Sequence, residues 1–161
     1  MLKEQALNPQ LHDRRAFECG VAELNNYLMR FAAQQSKKGI ATVQVLVDAD
    51  RPELILGYYS LSAAQIDVST LDAQLQRKLP KYPVPCFRLG RLAVHTEHRA
   101  LGYGRHLIGL AVKRCLEAKQ YVGAYALVVD AKNIGAKAFY EHYGFTALID
   151  NPFILYLPLG A

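Results

Sequence analysis

Cysteine is scarce in this chain. Cys19, Cys86 and Cys115 are its three, widely spaced, and none forms a Cys-x-x-Cys pair. That excludes a disulfide framework and a sulfur-ligated zinc site. Long apolar runs are also missing: none reaches the roughly 20 residues that a membrane span needs. The first residues, MLKEQALNPQLHDRRAFECG, contain no continuous apolar stretch of the kind a secretory signal carries. Linkers rich in Pro, Gly or Ser, internal repeats and low-complexity tracts are absent as well. These absences predict a cytoplasmic protein, away from any membrane, built as a single domain over residues 1–161.

What is present is an ordinary globular mixture, about half hydrophobic, on a chain long enough for a real core. The formal charge of +5 permits a polyanionic partner such as nucleic acid without requiring one. Val21, Leu24, Tyr27, Leu28 and Phe31 recur at helical spacing, which predicts a helix that stops near Gly39. Residues 41–48 alternate at Val43, Val45 and Val47 like a half-buried strand, and residues 54–66 read as its returning partner. A short helix is expected from Ser69 or Thr70 until the prolines of KYPVP stop it. CFRLGRLAV (residues 86–94) is the next strand, followed by a glycine loop and a helix over residues 104–119. Residues 124–131 read as a buried strand. A helix then starts at Asn133, a good N-cap type, and ends at Gly144, a good residue to follow a helix. The last strand is PFILYLPL. The order predicts an α/β (α+β) fold with a mixed sheet and helices on both faces.

The glycine loop raises the functional question. EHRALGYGRHL puts Gly102 and Gly104 where a strand turns into a helix, with Arg99 and Arg105 on either side. A helix start leaves backbone N–H groups unpaired and carries partial positive charge, and glycine lets a ligand approach closely. Such a turn is a ready anion site. Two commoner phosphate loops are excluded. The third glycine of a dinucleotide fingerprint is Leu107 here, and no Gly-Lys-Ser/Thr follows. On the glycines alone, a plain tight turn is the better reading.

A resemblance decides it. RALGYG (residues 99–104) fits the Gln/Arg-x-x-Gly-x-Gly/Ala motif of the GNAT superfamily of N-acetyltransferases. NIGAKAFYEHYGF (residues 133–145) resembles that family's Asn-x-x-Ala-x-x-Phe-Tyr-x-x-x-Gly-Phe block. FECGVAELNNYL, GYYSLS, YPVPCFRLGRLAV and VDAKN are further similar to the toxin branch of bacterial type II toxin–antitoxin modules. One departure is His95, where relatives usually carry Asp. The resemblance implies a GNAT fold with two strands splayed to admit acetyl-CoA. It implies acetylation of the amino acid on charged tRNA, hence a translation-blocking toxin. It also implies a ribbon-helix-helix antitoxin and a homodimer, with acetyl-CoA as co-substrate and no metal. The alternative is a non-toxic GNAT enzyme acetylating a small amine or a protein N-terminus.

The same resemblance assigns roles. The pyrophosphate of acetyl-CoA would lie on Arg99, Ala100, Leu101, Gly102, Tyr103, Gly104 and Arg105. The backbone of Leu92, Ala93 and Val94 would pair with the pantetheine amides. Asn133, Phe139 and Tyr143 are further cofactor-binding candidates, although Phe139 by itself reads as core. Tyr140 would be the general acid that protonates the leaving thiolate; without the resemblance it reads as an interface tyrosine. Strand 87–94 has no carboxylate to act as base. An α-amine sits about 2.5 pKa units below a lysine, about 3.4 kcal/mol easier to deprotonate, which suits an aminoacyl acceptor. Arg88 and Arg91 are candidates to grip tRNA phosphates, while Arg77, Lys78 and Lys81 read more simply as solvated surface. His95 and His98 have no third ligand at metal-site spacing and read as loop histidines. Cys115 reads as core.

Overall fold

The computed structural model describes residues 1–160. Strand β1 (Leu2–Ala6) is followed by α1 (Ala22–Asn26), a π-helical turn (Tyr27–Phe31) and α2 (Ala32–Lys37). Strands β2 (Thr42–Asp48) and β3 (Gly57–Ile66) come next, then a 3-10 turn (Val68–Thr70) and α3 (Ala73–Gln76). The long strand β4 (Val84–Val94) leads through a second 3-10 turn (Thr96–Leu101) into α4 (Tyr103–Ala118). The chain ends with β5 (Ala126–Asp130), α5 (Ile134–His142), β6 (Thr146–Ala147) and β7 (Ile154–Pro158). The sheet order is β1-β2-β3-β4-β5-β7-β6. The β2–β3 hairpin is antiparallel and β4–β5 is parallel, so the expected mixed sheet is present.

Two elements escaped the sequence pattern. β1 alternates weakly, and it is held as a strand by its antiparallel register with β2. β6 is two residues long and exists only by pairing with β7. Two expected boundaries also move. The helix predicted from Val21 is interrupted where the Ala32 N–H bonds back to the Tyr27 carbonyl, five residues away. The helix expected from Ser69 or Thr70 divides in two, because Asp67 caps a 3-10 turn and Asp72 separately caps α3. Each carboxylate accepts a nearby backbone N–H, as an N-cap side chain does.

The chain forms two compact units, each holding part of β3, β4 and α4. The first comprises Met1–Ser62 and Gly90–Ala111. Its core gathers Leu28, Val45, Val47, Tyr58 and Ala93, with Phe17 and Tyr27 beside them. Each such side chain contributes roughly 1.5–3 kcal/mol by leaving water. The second comprises residues 63–89 and 112–160. Ile66, Val84, Cys86, Ala126, Val128 and Tyr156 make its core. In this unit Gly144 takes φ +97° after α5, a conformation that side-chain-bearing residues avoid. No helix among the described residues is long and apolar enough to cross a membrane.

Candidate active site

In the first unit, β4 ends at Leu92, Ala93 and Val94, and the chain turns at once. His95 is extended, and its Nδ1 accepts the Glu97 N–H at 3.2 Å. That is the kind of bond an aspartate N-cap accepts, so the histidine side chain caps the turn. The loop expected over residues 99–105 is more ordered than the sequence suggested. Arg99, Ala100 and Leu101 complete the 3-10 turn, and Gly102 then takes φ +75°. A Cβ built on Gly102 would meet nothing within 4 Å. Positive φ therefore demands this glycine, and the space above it is open. Tyr103, Gly104 and Arg105 follow as the first residues of α4, ahead of the first intrahelical bond, His106 N–H to Gly102 C=O at 3.1 Å. Arg105 is exposed and Tyr103 is half-buried.

Arg99 does something the sequence reading missed. Its Nη2 donates to the Cys19 carbonyl. Gly20, at φ +85°, leaves room for it, since a Cβ there would lie 2.6 Å from that nitrogen. The segment that presents Cys19 is itself braced. Glu18 Oε2 accepts the Gly20 N–H at 2.6 Å and Asn25 Nδ2 at 2.7 Å, and Asn25 Oδ1 accepts the Cys19 N–H at 2.9 Å. The Asn25 bond, then the Gly20 bond, hold the Glu18 carboxyl below its ordinary pKa. The Thr96 N–H completes the link by donating to the Glu18 carbonyl at 2.8 Å. FECGVAELNN is thus a buttress for the glycine turn.

Arg91 is half-buried, with its guanidinium carbon 3.7 Å from the centre of the Tyr27 ring. Tyr27 stacks in turn on Tyr58 at 6.4 Å. In the second unit, Arg88 pairs with Asp130 at 3.5 Å, while its Nε is enclosed with no hydrogen-bond partner. Both arginines proposed to grip tRNA phosphates therefore have a neighbour in their own unit, Asp130 for Arg88 and the Tyr27 ring for Arg91.

The second unit holds the other candidates. Asn133 caps α5 through its Oδ1, which accepts the Ala136 N–H at 2.8 Å. Phe139 and Tyr143 are half-buried with ring centres 5.1 Å apart, so Phe139 is not a fully enclosed core residue. Tyr140 is 8% exposed, edge-on to Phe139 at 5.3 Å and to Phe145 at 5.5 Å. Buried phenols normally find a hydrogen-bond partner. In the first unit, Tyr27 donates to Gln35 and Tyr58 to the Leu24 carbonyl. No such bond holds the Tyr140 hydroxyl among the described residues. Burial pushes its pKa up to about 12, so it carries its proton throughout the neutral range. Tyr156 is also buried and makes no such bond among the described residues, but it lies in the core of this unit. All three cysteines are buried, and burial raises each thiol, that of Cys115 to about 12; none is poised as a thiolate.

Known proteins resemble this chain in sequence and in fold. Residues 20–145 match the family described as Acetyltransferase (GNAT) family. A tRNA-acetylating toxin of Mycobacterium tuberculosis is 30% identical over 90% of this chain and 85% of its own. A solved structure of AtaT complexed with acetyl-methionyl-tRNA superposes with a TM-score of 0.92 at 28% identity, over 98% of this chain and 95% of that one. A tyrosine-to-phenylalanine variant of AtaT, bound to acetyl-CoA and the C-terminus of the antitoxin AtaR, superposes with a TM-score of 0.84 at 26% identity, over 98% and 93%.

Proposed function

From the premise that this chain belongs to the acetyltransferase (GNAT) family, we propose that it moves the acetyl group of acetyl-CoA to the α-amine of aminoacyl-tRNA and so acts as a translation-blocking toxin. The observation that carries the mechanism is the buried Tyr140 side chain, whose hydroxyl makes no hydrogen bond among the described residues. The relatives named above, a tRNA-acetylating toxin and AtaT with acetyl-methionyl-tRNA, support the acceptor.

The residues present fit acetyl-CoA. Gly102 opens the turn, the N–H groups of Tyr103, Gly104 and Arg105 head a 16-residue helix, and Arg99 and Arg105 add charge. These would hold the pyrophosphate, with Leu92, Ala93 and Val94 giving backbone pairs to the pantetheine arm. Asn133 fixes the start of α5, and Phe139 and Tyr143 form the aromatic wall around Tyr140. The co-substrate supplies a thioester, whose carbon gains the new C–N bond as the C–S bond breaks and the electron pair leaves on sulfur. Tyr140 Oη would give its proton to that sulfur and recover one from solvent, while the acceptor nitrogen would release one proton to solvent. A phenol near pKa 12 cannot be lost to ionisation at neutral pH, so the acid is always loaded. Strand β4 itself has no carboxylate, and Asp130 on the paired strand β5 is tied to Arg88. An acceptor that deprotonates readily, as an aminoacyl ester does, suits this base-poor arrangement.

The protein then works where charged tRNA is used, in the cytoplasm, as a homodimer restrained by a ribbon-helix-helix antitoxin. Arg88 and Arg91 would orient the acceptor end, each through the partner that fixes it. A cell-free translation reaction tests the function. Synthesis should stop when protein and acetyl-CoA are added together, and resume with fresh charged tRNA once the protein is removed. Uninterrupted synthesis would overturn the proposal.

A further inference from the structure

We infer that the first unit carries a second anion site, built by Arg14, Arg15 and Arg30, that holds a backbone phosphate of the RNA; this rests on the aminoacyl-tRNA reading above. His12, Asp13, Arg14, Arg15, Met29 and Arg30 line one open cavity of about 630 Å³. None of them belongs to the glycine turn or to α5.

The cavity is built rather than casual. His12 is 4% exposed; its Nδ1 accepts the Asn8 N–H at 2.9 Å, so Nε2 carries the proton and donates to Gln5 Oε1 at 2.8 Å. Burial lowers its pKa, which makes it a neutral strut. Arg14 Nη1 donates to the Met29 carbonyl at 3.2 Å and ties the loop to the π-helical turn. Turns of that kind recur at functional positions. Asp13 spends its Oδ1 on its own loop, accepting the Arg15 and Ala16 N–H groups at 3.2 Å. Among the described residues, no carboxylate pairs with Arg14, Arg15 or Arg30. Three guanidinium groups therefore share one cavity with a single carboxylate, whose Oδ1 is held by its own loop.

That chemistry favours a phosphodiester. Guanidinium forks match phosphate oxygens, and phosphate binding needs only charge and donors. A bound peptide needs apolar anchors in pockets, and Met29 is the one apolar residue in the lining. Leu11 and Phe31 are exposed nearby in the chain but do not line the cavity.

Deacylated total tRNA is the probe, titrated against Arg15→Ala, Arg30→Ala and the double variant across a salt series. Arg14 is left intact because it also supports the loop, and acetyl-CoA affinity reports that each variant is folded. Each lost phosphate contact should lower the slope of log K against log salt by about 0.9. The double variant should lose on the order of tenfold in tRNA affinity, and Arg15→Lys with Arg30→Lys should restore most of the slope. A folded double alanine variant with the wild-type slope would overturn the site. So would an unchanged slope with weakened binding of an acidic peptide, which would reassign the cavity to a protein partner. If wild-type protein acetylates aminoacyl-tRNA while the variant slope is unchanged, only this site fails. If wild-type protein acetylates no aminoacyl-tRNA, the proposed function fails.

Discussion

The glycine turn of the first unit and helix α5 of the second solve different chemical problems. The turn works through backbone. Gly102 at positive φ, the opening N–H groups of α4 and the buttress from Glu18, Cys19 and Asn25 all shape where N–H groups point. Most side chains there are exposed. In the proposed mechanism helix α5 works through one atom, the Tyr140 oxygen, on a ring packed edge-on against Phe139 and Phe145. A backbone cradle should be graded in its response to substitution, because several groups share the load. A single proton donor should respond all at once. Substitutions in the two regions should therefore separate binding from turnover.

The largest effect is expected at Tyr140. Tyr140→Phe keeps the ring and its contacts with Phe139 and Phe145. Turnover should fall by roughly 10²–10⁴, the usual worth of a general acid, while acetyl-CoA affinity stays within a few-fold, about 1 kcal/mol. Steady-state kinetics alongside calorimetry would check both. Near-normal turnover would reduce Tyr140 to a packing residue and erase the contrast between the regions.

Next comes Gly104→Glu, which sets a carboxylate against the expected pyrophosphate. Acetyl-CoA affinity should weaken at least tenfold, about 1.4 kcal/mol. Circular dichroism should show a retained fold. Unchanged affinity would remove the phosphate role of the turn. Gly102→Ala should act differently from its neighbour. Its Cβ meets nothing, so the expected cost is conformational, about 1–2 kcal/mol of stability. Chemical denaturation would measure it, and a loss near zero would mean that the turn relaxes.

How much of this was legible in sequence differs between the regions in the same way. Asn133 as cap and Gly144 as terminator could be read from residue types at fixed spacing, because a helix imposes its own period; Tyr140 stood out only through the family resemblance. The parallel β4–β5 pair and the β2–β3 hairpin followed from alternation and order. The buttress could not be read so. Arg99 meets Cys19 across 80 residues of chain, and no local pattern encodes such a contact. The π-helical turn was hidden because the apolar spacing through Tyr27 and Phe31 is the same to within one residue. β1 and β6 are strands by virtue of their partners, not their composition.

The smallest predicted effect is in pH. The folded Tyr140 pKa, about 12, lies above the ordinary phenol value of about 10. Stability from this group is fully present below about pH 10 and is lost as pH rises toward the folded value. The wild-type melting temperature should thus fall more than that of Tyr140→Phe between about pH 9 and pH 11. Parallel curves would show that the phenol is less enclosed than its packing implies.

The central claim is the acceptor, and one competition tests it most directly. Protein is incubated with labelled acetyl-CoA, total charged tRNA, deacylated tRNA, a lysine peptide and a polyamine at equal concentrations, and the acetylated species are identified by mass. The account predicts label on the α-amine of aminoacyl-tRNA, with deacylated tRNA inert. Faster labelling of the lysine peptide or the polyamine would contradict it.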